Sequence, residues 1–368
     1  MRSTGPPGNG ADTTQDMEEC GYEGGRGGAG AGSPAPLKSE LISLPHQGGG
    51  FKACDYVGPE IAAFCNADSD VMVEPWLAEL LADGMKSGSR IDPGEYARIV
   101  KRLLSAKMAE LTAERAAHPL GMFAVWKEVD QIQRLIIDGR PVNEYFTSPP
   151  FEFTCGEDLA RLQVKIGHML QAAKCDLSDF FHCCEATDAL KQYFGLKGVP
   201  AALLRELGVD VPAECVDGRG YTYPRLTILP MGFGPSPGIA QAAHEAVLYG
   251  REGAGSEQAR QLEPVVSRTA RWSGQRVPDV ESPEASAPHA LVIDDLLLFR
   301  QVLRRSLDDV RVDDRAARGT EEGIALAPVL TRYEEVGLRL LWLPLTLLRE
   351  KGPSKYSSCF LELYSKHL

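Results

Sequence analysis

The chain has 368 residues, a formal charge of −12, and 43% hydrophobic against 24% charged residues. That is the make-up of a globular protein with room for one large core or two smaller ones. The acidic balance argues against a strong non-specific grip on nucleic acid or an anionic membrane, though a local basic groove remains open.

Residues 1–36 are rich in Gly, Pro and Ser, with "GYEGGRGGAGAGSPAP" as the extreme, and are expected to lack a packed structure. Residues 37–90 show little period and read as a poorly defined N-terminal region. Order sharpens at "RIDPGEYARIVKRLLSAKMAEL". Asp92 is an N-cap, Pro93 suits the first helical position and Glu95 stands three after the cap. Tyr96, Ile99, Val100, Leu103, Leu104, Met108 and Leu111 continue a helical spacing. "GMFAVWKEVDQIQRLIIDGRPVN" reads as two strands, near 121–126 and 132–137, joined by a polar turn. The spacing of Leu159, Leu162, Ile166, Met169 and Leu170 predicts a helix over 157–173. "KCDLSDFFHCCE" reads as a short strand entering a turn. A further strand precedes "LPMGFGPSPGIAQAAHEAVLYG", where Ser236 and Pro237 open a helix as N-cap and first residue. Residues 250–288 form a polar insertion, "HALVIDDLLLF" two short strands meeting at the aspartates, and 319–336 a helix.

Nine cysteines, an odd number with no Cys-x-x-Cys pair, favour reduced thiols over a disulfide framework or a zinc site. The N-terminus has no apolar signal core, and "LRLLWLPLTLL" is too short to span a bilayer and contains Arg339 and Pro344. The expectation is an intracellular, soluble protein with no membrane partner.

Asp294 and Asp295 are the chemical puzzle, because two carboxylates inside an apolar run are expensive unless compensated. Successive strand side chains face opposite ways, so both can serve one site only near a hairpin tip. A divalent cation would offset their charge, and magnesium suits hard oxygen ligands and phosphates. "CDLSDFF" supplies Asp176 at the end of another apolar-flanked strand, with Asp179 three residues on.

Four blocks occur in one order, "FAVWKEVDQIQRLIIDGRPVN", "CDLSDFFHCCE", "LPMGFGPSPGIAQ" and "VIDD". Over about residues 120–300 they resemble the fingers and palm of a retroelement reverse transcriptase. The resemblance implies an α+β right-hand palm, an antiparallel sheet backed by helices, in a fingers–palm domain over 91–336. It implies RNA-directed DNA synthesis from deoxynucleoside triphosphates on a primed RNA or DNA template, with two Mg2+ ions or Mn2+ in their place. Asp176 and Asp294 would hold the metals and Asp295 would be the supporting third acid. Lys127 and Arg134 would embrace the triphosphate, and Phe181 would lie under the sugar and exclude a 2′-hydroxyl. Asp179 and Met231 fall at nucleotide-side positions, Gly232 would let the backbone approach substrate or template closely, and Gln241 would support that wall. Val292 and Met231 depart from the usual aromatic and Gln of these motifs. His182 and His244 have no partner at metal-ligand spacing. Residues 337–368 lose the family pattern, so a truncated product with an absent or incomplete thumb is expected. The geometric expectation is that Asp176 and Asp294, 118 positions apart, converge to within roughly 6 Å.

Overall fold

The computed structural model describes residues 32–83, 91–129, 131–149, 161–250, 260–268, 288–303 and 326–347, with single positions at 151, 153, 154, 158 and 271. Residues 1–31 of the glycine-rich stretch, most of the polar insertion and residues 348–368 lie outside this set.

The strands are β1 (Pro34–Ala35), β2 (Ala109–Thr112), β3 (Gly121–Glu128), β4 (Ile132–Asp138), β5 (His168–Leu177), β6 (Val199–Pro200), β7 (Tyr221–Leu226), β8 (His289–Val292), β9 (Asp295–Leu303) and β10 (Leu340–Leu347). They form three antiparallel sheets, ordered β1-β3-β4, β10-β5-β9-β8 and β2-β7-β6. With the helices between them, the architecture is α+β, as expected.

The β3–β4 hairpin pairs Gly121 with Asp138 and Val125 with Arg134. Gln133, fully buried, accepts a hydrogen bond from the Lys38 amide and donates one to the Pro36 carbonyl. That amide side chain pins the N-terminal segment to the hairpin. Residues 37–83 are better structured than their weak periodicity suggests. They carry the helices Pro59–Asn66 and Pro75–Asp83, and Phe51 and Phe64 enter the main core. The same region holds a Cys54–Cys65 disulfide, contrary to the expectation of reduced thiols. Its two cysteines are 11 positions apart, a spacing that a motif search for Cys-x-x-Cys overlooks.

The Pro93–Ser105 helix is capped as expected, Asp92 accepting from the Glu95 amide at 2.9 Å. It stops short of Met108 and Leu111, because Lys107 takes a left-handed φ of 57° and the chain turns into β2. The expected helix over 157–173 fails over residues 161–173. Gly167 adopts φ 80°, Ile166 is fully exposed, and β5 starts at His168. Local spacing loses here to tertiary pairing, since β5 is bonded on both sides, to β9 and β10. The helix Ser236–Tyr249 forms as expected, but Ser236 is not its cap. Its buried hydroxyl donates to the Pro230 carbonyl at 2.8 Å, tying the preceding loop to the first turn. The last expected helix spans Leu326–Glu335. No described helix is long and apolar enough to cross a membrane.

One face of the β5–β9 pair is core. Cys175, Leu177, Leu296 and Leu298 point into a cluster with Ile239, Ala240, Ala243 and Val247 of the Ser236–Tyr249 helix. The strand alternation therefore sends Lys174, Asp176 and Asp295 to the other face.

Candidate metal and nucleotide site

Strand register builds the site. Asp176, next to last in β5, pairs directly with Asp295, first in β9. Asp295 also pairs with Val292, so Ile293 and Asp294 form a two-residue hairpin loop. Such loops need a positive φ at their first central residue. Here Ile293 supplies it, at 55°, a conformation that is costly for a β-branched side chain. The loop turns Asp294 toward its neighbours. Asp176, Asp294 and Asp295 offer carboxylate oxygens that all lie within 4.8 Å of one another, each residue partly buried.

The crowding is visible in the electrostatics. Burial, then the charges of Asp294 and Asp295, push the Asp176 carboxyl up to about 7, while Lys174 pulls the other way. Burial and Asp295 likewise push Asp294 up to about 6, opposed by Lys174 and Arg134. Lys174 Nζ stands 2.7 Å from Asp295 Oδ2, with only 11% and 14% of the two side chains exposed. Asp295 Oδ1 is buried with no hydrogen-bond partner among the described residues. Three hard oxygen donors, excess negative charge and one orphaned oxygen are the chemistry that a divalent cation satisfies.

The strained turn is gripped from behind by one helix. The Ile293 amide donates to Gln241 Oε1 at 2.6 Å, and Gln241 Nε2 donates to the Leu291 carbonyl at 3.3 Å and to Glu245 at 2.8 Å. His244 Nδ1 meets the Ile293 carbonyl at 2.6 Å, and its Nε2 meets the Tyr333 hydroxyl at 2.6 Å. The Asp294 carbonyl accepts from the Leu177 amide at 3.0 Å. Gln241 is 3% exposed and holds the backbone of the turn from behind.

Lys127 is exposed and Arg134 half-buried on the β3–β4 hairpin. Their charges reach acids at the site, Arg134 toward Asp294 and Lys127 toward Asp179. Asp179 takes φ 52° before the short Phe180–Cys183 helix. Its carboxyl lies below the usual carboxylate range, held there by His182, whose Nδ1 is 3.7 Å away, and by the fields of Lys127 and Arg339. Phe181 is half-buried and packs on the edge of the main core. Met231 is 42% exposed and lines a small apolar cleft with Leu135, Ile137 and His182. Gly232 lies close against the backbone of this chain's own hairpin. A Cβ there would stand 1.9 Å from the Ile137 carbonyl oxygen, and one on Gly139 would stand 2.2 Å from the Gly232 oxygen. Asn143 clamps the same junction, donating to the Gly232 carbonyl at 3.1 Å and accepting from the Gly234 amide at 2.8 Å.

Lys174 and Tyr333 do not stand out in the sequence, and His244 stands out there only as a histidine without a metal-ligand partner. Lys174 was readable, because a residue two before Asp176 on a strand shares its face. His244 was half readable, three after Gln241 on one helix face. Tyr333 gave no signal, being 89 positions from His244.

No protein-family model and no curated protein matches the chain. Among solved structures, a foamy viral protease–reverse transcriptase in complex with dsDNA is similar at 12% identity and a TM-score of 0.40, over 88% of this chain and 45% of that one. A dRH form of the foamy viral protein, also with dsDNA, gives 14% identity and 0.39 over 81% and 43%. A selenomethionine-labelled prototype foamy virus protease–reverse transcriptase gives 16% and 0.38 over 69% and 24%. The chain spans less than half the length of each. At such identities and TM-scores the likeness does not by itself define a fold or an activity.

Proposed function

We propose that this chain is the fingers–palm portion of a retroelement reverse transcriptase, performing RNA-directed DNA synthesis by nucleotidyl transfer. The observation that carries the reading is the convergence of Asp176, Asp294 and Asp295 on one face of an antiparallel sheet. Asp176 and Asp294 hold the metals in this reading, and Asp295, anchored by Lys174, completes the acidic wall. Two bound magnesium ions would supply a lowered pKa for the primer 3′-hydroxyl and charge neutralisation at the triphosphate. Lys127 and Arg134 bind the phosphates as cations from the hairpin above, Arg134 with the option of a bidentate contact. Asp179 and Met231 border the nucleotide, and Phe181 excludes a 2′-hydroxyl by steric contact. Gly232 and Gln241 act one layer back, through hairpin packing and turn support. In-line phosphoryl transfer depends chiefly on such positioning and charge neutralisation.

Primer extension on an RNA template with magnesium and deoxynucleotides, beside an Asp294→Asn control, tests this. Addition that depends on Asp294 is expected at low salt, fading at physiological salt. Affinity for nucleic acid rests on neutralised phosphates and falls steeply with salt, and the chain is acidic overall. No Asp294-dependent incorporation at any salt would defeat the polymerase reading. One observation favours a second reading, a catalytically weak or inactive remnant that binds nucleic acid or protein. Lys174 already neutralises Asp295 from within the protein. Template binding that ignores both magnesium and Asp294, without extension, is the result that reading expects.

A further inference from the structure

The hairpin loop that carries Asp294 is held in a costly conformation, so something must over-determine it. The Ile293 peptide is bonded at both ends by the Ser236–Tyr249 helix, its amide to Gln241 and its carbonyl to His244. The His244 arm has a direction. A carbonyl oxygen only accepts, so His244 Nδ1 must carry the proton and donate. Nε2 of the neutral ring is then an acceptor, and the Tyr333 hydroxyl must donate to it. Both side chains are fully buried. Burial drives the His244 ring down to about 4, so it is neutral at working pH. Phe180 stands edge-on to the ring at 5.7 Å and Tyr333 lies at 5.4 Å, leaving the imidazole little rotational freedom.

Tyr333 belongs to another part of the chain, the Leu326–Glu335 helix that follows the polar insertion and β9. That helix is docked independently of Tyr333. Arg332 donates to the Val247 carbonyl at 3.1 Å and to the Glu263 carbonyl at 2.8 Å. Val329 and Leu338 are buried in the main core.

The geometry points to His244 as a positioning residue that couples docking of the Leu326–Glu335 helix, through Tyr333, to the turn that aims Asp294. The functional part of this inference rests on the reading of the three aspartates as a metal centre. Without the Tyr333 hydroxyl, either tautomer of His244 becomes available. The wrong one turns a lone pair toward the Ile293 carbonyl and pushes the turn away from its strained conformation. Asp294 follows directly after Ile293, so a relaxed turn moves a proposed metal ligand. No part of His244 itself needs to touch metal, primer or nucleotide.

The test uses the full chain as wild type, His244→Ala, His244→Asn, Tyr333→Phe and Asp294→Asn, with two readouts. One is amide hydrogen exchange in the peptide covering residues 288–299, measured in chelator. The other is the dissociation constant for Mn2+ alone. His244→Ala should speed exchange at the turn by at least about tenfold and leave the β3–β4 hairpin unchanged. It should weaken Mn2+ by about tenfold, the usual scale for losing a group that orients a metal ligand. Tyr333→Phe should act in the same direction by about threefold to fivefold, the scale of one neutral hydrogen bond. His244→Asn keeps a donor at the Nδ1 position and should recover most of the protection. If His244→Ala does not fold, Tyr333→Phe decides alone. Unchanged exchange at the turn, exchange that rises equally throughout the domain, or an Asn variant as damaging as Ala would each overturn the assignment. Wild-type protein that binds no Mn2+ through Asp294 would instead defeat the metal-centre reading, while the exchange result still decides His244.

Discussion

Replacing Asp176 by Asn should stabilise the metal-free protein, although it removes a proposed metal ligand. Burial, then the charges of Asp294 and Asp295, raise the Asp176 carboxyl from 3.8 to about 7. The folded chain therefore holds this proton more tightly than the unfolded chain does. Between those values the folded state binds more protons, so stability falls as pH rises, and the full penalty is present above pH 7. At about 1.4 kcal/mol per factor of ten, the limit at pH 8 is about 4 kcal/mol. Solvent screening of a partly exposed group and sharing of charge among three coupled acids reduce this by about half. The expected gain is ~2 kcal/mol at pH 8 and under about 1 kcal/mol at pH 5, where the carboxyl stays largely protonated in the folded state. Urea unfolding of wild type and Asp176→Asn in chelator, at both pH values, measures it. Magnesium should reverse the order at pH 8 by stabilising only the wild type, since a ligand that binds the folded state alone adds stability by mass action. A destabilised variant at pH 8 in chelator, or an equal effect at the two pH values, would refute the claim that burial and like-charge crowding together raise this carboxyl.

Two further substitutions test other parts of the site. Gly232→Ala forces a Cβ to 1.9 Å from the Ile137 carbonyl oxygen, and because that contact is backbone it should cost about 3 kcal/mol of stability, read as a lowered unfolding midpoint; an unchanged midpoint would mean that the hairpin junction yields freely. Phe181→Val should raise ribonucleotide incorporation by at least about tenfold in an extension assay, on the scale by which a pocket rejects an ill-fitting group, whereas unaltered discrimination would leave Phe181 as a packing residue at the core edge.

Much of the candidate site is legible in the sequence. The alternation of β8 and β9 around two aspartates implied a hairpin, and the structure has one with Asp294 in its two-residue loop. The apolar flanks of Asp176 implied a strand end, and β5 ends one residue later at Leu177. The capping pattern at Asp92 and the strands of the β3–β4 hairpin were equally plain, because caps and strand alternation depend on near neighbours in sequence. Local rules failed where distant chain decides. Apolar spacing over 157–173 suits a helix, yet bonding on both sides draws His168–Leu177 into the centre of a sheet. The short segments of residues 37–83 look weak alone and are ordered by packing Phe51 and Phe64 into a core built elsewhere. A positive φ at Ile293 could not be read from its side chain, which disfavours it; the turn is imposed by strand register and held by Gln241 and His244. Sequence determined which acids were available and which strands would present them. Tertiary structure decided that Asp176 and Asp294 share one site, that Lys174 neutralises Asp295, and that Tyr333 supports the turn. Each of those contacts joins groups that only folding brings within the few ångströms over which hydrogen bonds and buried charges act.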